Sequence, residues 1–341
     1  MGRRLATIRR IDDINPIKKA DKIEVATVGG WKAVIGKNQF RIGENVIYCE
    51  IDSFLPIREE FEFLRPSSYL ELEDGTEGFR LRTVKLRGQV SQGLILSMNL
   101  LNDWDIPVGT DVTERLGITK YEKPIPKELE DMAHGYIPNQ VHKTDEERIQ
   151  NLTEDYTEYK KYSYNASEKL DGESFTSFIM KDKYSVCTRQ LDLIVPDTYE
   201  DSLPHHLRYA LKNNLEEKIR SLKLDVALQG ELIGPGITKN KYGLPELDLY
   251  LFNIFDINTY SYMPKDEAYD IAKQLGIKTV PIIEPKLYLP DTVDGLLKIA
   301  EGKSALLDTT EREGLVLVAN NSPERVSFKI ISNKFLLKGG E

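Results

Sequence analysis

Between Leu5 and Met98 the chain strings short β-like runs together with turn signals and no long helix between them. LATIRRI, KIEVATVGGWKAVIG and ENVIYCEI are rich in Val, Ile, Tyr and Thr at near period two, the pattern of half-buried strands. Gly29-Gly30 reads as a hairpin turn between two of them. EGFRLRTVKLRGQVSQGLILSM, residues 77–98, continues the pattern. Strands this short bury a face only by closing on one another, so this half of the chain is expected to form a small barrel or sandwich.

Residues 1–117 are therefore expected to be one all-β domain, an OB-like barrel, with an SH3-like barrel as the structural alternative. OB folds commonly bind oligonucleotides. Arg82, Lys85 and Arg87 in LRTVKLRG are spaced so that they can face RNA, and equally so that they can line a solvated strand. Residues 118–160 are polar and Pro-interrupted, and read as a partly helical connector in which DEERIQNL is the clearest helical piece. Residues 161–341 change texture to α+β. The expected strands there are YSYNASEKLDGESFTSFIM, KYSVCTRQLDLIV, DVALQGELIG, LDLYLFNIFDI and EGLVLVAN. HHLRYALKNNLEEKIRSLK is expected to be one amphipathic helix, with Leu207, Ala210, Leu211, Leu215 and Ile219 on its apolar face. EAYDIAKQLGI and TVDGLLKIAEG are expected helices. Strands that follow one another without strict βαβ alternation favour antiparallel sheets with packed helices.

Composition narrows the chemistry. The net charge is −9, which disfavours a non-specific nucleic-acid coat and leaves room for a local basic groove. Basic residues do cluster, in RRLATIRR, in KNKY at 239–242 and in KIISNKFLLK. Cys49 and Cys187 are too few for a disulfide framework or a Cys-rich zinc site, and fit a reducing, cytoplasmic compartment. No H-E-x-x-H or G-x-S-x-G pattern is present, and no apolar run reaches membrane-spanning length. Met1-Gly2 lacks the Ser or Thr at position six that myristoylation favours; Ala6 stands there.

EKLDGES, residues 168–174, is the stretch that asks for an explanation. Asp-Gly is a common turn dipeptide, so a surface turn with a solvated lysine is the simplest account of Lys169, Asp171 and Gly172. Three further runs weigh against it as a set. LQGELIG puts Glu231 inside an apolar strand, where a carboxylate is costly unless paired or near a metal. DLYLFNIFDI carries Phe252 and Phe255 in a buried strand. EGLVLVAN starts on Glu313-Gly314, and VSFKII holds Lys329.

In this order the runs resemble the covalent nucleotidyltransferases, the ATP-dependent polynucleotide ligases and mRNA-capping enzymes. EKLDG looks like their K-x-D-G nucleophile motif, and VSFKII like their terminal lysine motif. Arg189 follows Lys169 by 20 residues and Phe252 follows Glu231 by 21, spacings similar to those of RNA ligases. An N-terminal OB-like domain before the ligase core resembles the RNA ligases of the Deinococcus and Naegleria type. The resemblance implies an α+β protein with an adenylyltransferase domain behind the barrel. It implies ATP as the AMP donor, Mg²⁺ or Mn²⁺, and RNA with 3′-OH and 5′-phosphate ends, nicked duplexes in particular, acted on by a monomer.

The same resemblance implies roles. Lys169 is the nucleophile that becomes lysyl-AMP. Glu168 reads the adenine edge and Phe252, or Phe255, stacks on its face. Arg189 and Glu231 hold the ribose. Asp171, Glu231 and Glu313 hold the metal, in part through its waters, and Lys329 contacts the α-phosphate. A lysine amine attacks only when neutral, so nearby cations must offset its reference pKa of about 10.4. Ser327 stands where related groups carry a first lysine, and Lys334 is the candidate substitute. A DNA ligase, a GTP-dependent capping enzyme, an enzyme transferring AMP to protein, and an RNA-binding protein with a degenerate core are the other readings.

Overall fold

The computed structural model describes residues 3–72, 74–122 and 125–338; residues 1–2 and 339–341, at the outer ends of the two expected domains, lie outside the described residues. The N-terminal strands form antiparallel sheets built on Asn45–Cys49, which pairs with Ala6–Arg10 on one side and Leu94–Ser97 on the other. Its alternating side chains explain its central place. Ile47 and Cys49 enter one apolar cluster with Leu5, Ile8, Leu55 and Phe79, while Val46 and Tyr48 enter a second with Val28, Trp31 and Ile95. Gly29-Gly30 makes the expected two-residue hairpin turn, with Val28 opposite Trp31. This is an OB-fold domain. Residues 84–91 form a hairpin whose first strand, Val84–Leu86, is exposed along its length, while Ser91 at its end accepts a hydrogen bond from Val34 N.

The connector is woven into both halves. Thr119–Lys120 pairs with Ser53 and Phe54 of the barrel, and Ala133–Tyr136 pairs with Leu191–Leu193 of the C-terminal half. DEERIQNL does not form the expected helix. Only the short 3-10 turn Ile149–Asn151 appears, because Arg148 is bridged to Lys329 and Gln150 packs against Gly30.

The C-terminal half is two facing sheets. In the larger, the strands Glu173–Met180, Val226–Ile233 and Asp248–Asp256 are neighbours in that order. In the smaller, Ser163–Lys169 lies between Ile282–Tyr288 and Gly314–Ala319, with Ser327–Ile331 outermost. Pairing is antiparallel throughout the named strands except where Lys278–Thr279 joins Tyr250 and Leu251 in parallel. Lys265–Leu275 packs on the larger sheet and Val293–Ala300 on the smaller. The single helix expected at 205–223 is two, His205–Lys212 and Leu215–Ser221, because Asn214 takes a left-handed conformation with φ +48°. Most of the apolar face survives the break: Leu207, Ala210, Leu215 and Ile219 are in the core, and Leu211 is only half-buried outside it. Each such burial is worth about 1.5–3 kcal/mol for the larger aliphatics. Among the described residues no helix is long and apolar enough to cross a membrane.

Candidate active site

The two sheets and the barrel enclose a cavity of about 850 Å³. Lys169 ends its strand opposite Gly314 and reaches into this space, where its Nζ donates a hydrogen bond to Glu313 Oε1 at 2.6 Å. The next residues are clamped rather than exposed. Asp171 N donates to the Tyr242 hydroxyl at 2.8 Å, and Gly172 N donates to Glu231 Oε1 at 2.9 Å. A Cβ on Gly172 would lie 2.4 Å from the Leu232 carbonyl oxygen, so only glycine lets this turn rest on the strand that carries Glu231. The Asp-Gly of EKLDGES is thus a spacer that sets Lys169 and Asp171 against Glu231.

Glu231 is on a central strand, flanked by Ser174 and Tyr250, so it is not an edge acid facing water. Burial pushes its carboxyl up to about 7, opposed by the Lys169 ammonium. Burial likewise raises the Glu313 carboxyl, and its Oε2 has no hydrogen-bond partner among the described residues. For Lys169 burial acts to lower the amine, and the fields of Glu313, Glu231 and Asp171 outweigh it, so the amine is held charged. Asp171 is ion-paired to Lys241 at 2.8 Å.

This donor set fits a divalent cation. Asp171, Glu231 and Glu313 face two ammonium groups, and one buried carboxylate oxygen is left unpaired. Among the described residues no three acids or imidazoles come close enough to ligate one ion directly. A hydrated Mg²⁺ or Mn²⁺, bound partly through its own waters, suits such spacing.

Of the residues expected to hold the nucleotide, Glu168, Arg189, Phe252 and Lys329 all line the cavity. Glu168 is 1 % exposed; its Oε2 accepts from Ala305 N at 2.7 Å and its Oε1 is unpaired among the described residues. Burial raises its carboxyl above the usual range. Phe255 is on the other side of its strand, buried against Phe178, Ala227 and Tyr262, so Phe252 alone of the two reaches the cavity. Arg82, Lys85 and Arg87 do not line it. They lie on or beside the hairpin at 84–91, exposed.

The cavity also holds basic groups that the motif pattern missed. Arg3 and Arg80 come from the barrel, Lys120 and Arg148 from the connector, and Lys241, Lys265 and Arg325 from the C-terminal half. Two of them sat in basic clusters visible in the sequence, Arg3 in RRLATIRR and Lys241 in KNKY. Asp145 gathers three cations: Lys329 at 2.8 Å, Arg189 at 3.4 Å and Lys120 at 3.7 Å. Burial acts to raise its carboxyl, but Lys329, Arg189 and Lys120 hold it far below the usual range. Lys334 does not supply the charge that Ser327 lacks. It is bonded to Glu301 at 2.8 Å and 59 % exposed, away from the cavity. Arg325 does face the cavity. It shares Glu146 with Ser327, at 2.9 Å and 2.6 Å, and its guanidinium lies 4.2 Å from the Tyr262 ring centre.

Residues 163–331 match the family described as RNA ligase, and residues 5–98 match an OB-fold domain family. No curated protein sequence matches the chain. Solved structures of Naegleria gruberi RNA ligase are similar over almost its whole length. An apo mutant is 39% identical with a TM-score of 0.89, covering 98% of each chain. A mutant with ATP and Mn is 38% identical with a TM-score of 0.88, covering 97% of this chain and 98% of that one. The form with PPi is 38% identical with a TM-score of 0.88, covering 98% of each.

Proposed function

The chain belongs to the RNA ligase family, and from that premise we propose that it seals 3′-OH and 5′-phosphate RNA ends, nicks in duplexes among them, through a lysyl-AMP intermediate on Lys169. It is an ATP-dependent RNA ligase, and its similar structures were obtained with ATP, AMP and Mn. The observation that carries the reading is the Lys169 amine, hydrogen-bonded to Glu313 inside a cavity that Glu168, Arg189, Phe252 and Lys329 also line.

The Lys169 nitrogen attacks the α-phosphorus of ATP. A P–N bond forms, the bond to the α–β bridging oxygen breaks, and pyrophosphate leaves with the electron pair. Glu313 Oε1, 2.6 Å from Nζ, is placed to take the amine proton. Phe252 stacks on the adenine and Glu168 reads its edge, while Arg189 and Glu231 position the ribose. Lys329 neutralises the α-phosphate, and the basic wall of Arg3, Lys120, Arg148 and Arg325 faces the departing phosphates. A bound Mg²⁺ or Mn²⁺ supplies phosphate charge neutralisation and offsets the carboxylate field on the amine. An oxygen of the RNA 5′-phosphate then displaces the lysine to give an AMP-capped end. The 3′-OH oxygen attacks that 5′-phosphorus, and AMP leaves.

A nicked RNA duplex incubated with the protein, ATP and Mn²⁺ or Mg²⁺ tests this directly. Sealed strand with ATP and none with GTP is expected, and a nick ending in a 3′-deoxy sugar is expected to stop at the AMP-capped strand. Covalent labelling by GTP, or a labelled protein that leaves RNA nicks open, would overturn the reading.

A further inference from the structure

Beside the active-site cavity lies a second one of about 420 Å³, and His205 lines both. The spacing of one helix face explains the lining of the second. His205, Arg208 and Lys212 recur at three- and four-residue intervals on His205–Lys212, so all three project to the same side. Tyr199, 46 % exposed, Asn213 and Glu246 are also among its lining residues.

The donors of this cavity are not all used. Lys212 is neutralised by Glu246 at 2.7 Å, and the Tyr199 hydroxyl is bonded to Asp201 at 2.8 Å. Glu173 feels the charge of Arg208, but its carboxylate is hydrogen-bonded to His205 at 3.2 Å and not to the guanidinium. Arg208 forms no ion pair among the described residues, and its buried Nε makes no hydrogen bond there. A guanidinium presents five donors in a planar fork matched to phosphate, and a buried one left unused is costly. In a chain of net charge −9, a concave site with an unpaired arginine next to an exposed tyrosine is built for an anion with a ring beside it.

We infer that Arg208 binds a backbone phosphate of the RNA strand that leads away from the ligation junction, with Tyr199 against the neighbouring base. This rests on the RNA-ligase reading of the adjoining cavity. The path is short in sequence and space, because Gly172 and Glu173, directly after the Lys169-x-Asp171 turn, line the first cavity beside His205.

The test uses the full chain and Arg208→Ala and Arg208→Lys variants, with a nicked 5′-phosphate RNA duplex as the probe. Binding is measured across a range of salt concentrations, and lysyl-AMP formation from ATP is measured alongside. Arg208→Ala is expected to bind the duplex about tenfold more weakly, with the slope of log K against log salt reduced by about one. Arg208→Lys should recover most of the slope, and lysyl-AMP formation should stay at the wild-type rate in both. Unchanged affinity and slope in Arg208→Ala overturn the inference. So does a variant whose inhibition by inorganic pyrophosphate changes while its RNA binding does not, since the phosphate would then be the nucleotide's. Loss of both activities together marks a structural arginine and counts against it as well. Absence of lysyl-AMP in the wild-type protein contradicts the ligase reading instead, and the RNA affinities still decide the role of Arg208.

Discussion

Arg325 and Lys334 show how a side chain's worth depends on where it points. Both are basic, and both are close in sequence to Lys329, but only Arg325 lines the cavity. A charge-assisted contact to phosphate is worth about 1.5–3 kcal/mol, which is roughly 10- to 100-fold in rate. Arg325→Ala should therefore lower kcat/KM for ATP in lysyl-AMP formation by at least about tenfold, and Lys334→Ala should leave it unchanged; initial rates of labelling compare the two. Lys265 is the second residue with a distinct signature. Burial, with Arg325 nearby, pushes its amine down to about 8, and its Nζ donates to the Phe252 carbonyl oxygen at 2.6 Å. Its folded-state value lies below the unfolded one of about 10.4, so the unfolded chain holds more protons between pH 8 and 10. The penalty is fully present below pH 8 and is relieved as pH rises. Relative to Lys265→Met, the wild-type protein should gain stability over that window, by at most about 3 kcal/mol, in urea midpoints taken at each pH.

At the level of elements, one glycine holds the smaller sheet together. A Cβ on Gly314 would lie 2.0 Å from the Ile330 carbonyl oxygen, in the strand pair that aligns Lys329 with Val316. Overpacking of this kind costs about 1–3 kcal/mol, and here the obstacle is backbone, which cannot turn aside. Gly314→Ala should lower the melting temperature and displace Glu313 and Lys329 together, which a thermal melt and labelling kinetics on one preparation would report. The strands themselves were legible in the residues. Alternation and apolar runs located Ser163–Lys169, Val226–Ile233, Asp248–Asp256 and Gly314–Ala319, because each buries a face that the pattern records. The helix break at Asn214 was not legible, since the apolar stripe continues across it and only the backbone turns. The failed helix at 145–152 has the opposite cause: its local pattern is helical, and contacts with Lys329 and Gly30 prevail over it.

On the scale of the whole molecule, the barrel and the C-terminal half act as one wall. Trp31 Nε1 donates to Asn151 Oδ1 at 2.7 Å, Arg148 pairs with Asp52 at 3.6 Å, and Lys32 is ion-paired with Asp294. These contacts bring Arg3 and Arg80 to the cavity that contains Lys169. Motif spacing could place Lys169, Asp171, Glu231 and Glu313 because each lies in, or within two residues of, a strand that the apolar pattern records. It could not place Arg3, Lys120, Arg148 or Asp145, whose positions depend on how the barrel docks. Nor could it choose between Phe252 and Phe255, because the register slips between Gln229 and Gly230 on the neighbouring strand. The account stands or falls on Lys169. The most direct measurement is incubation of the wild-type chain and Lys169→Ala with α-³²P-labelled ATP and Mn²⁺, followed by a denaturing gel and peptide mapping of the label. The account predicts an acid-labile label on the peptide containing Lys169 and none on the variant. Label that persists in Lys169→Ala, or a wild-type chain that takes none, would contradict it.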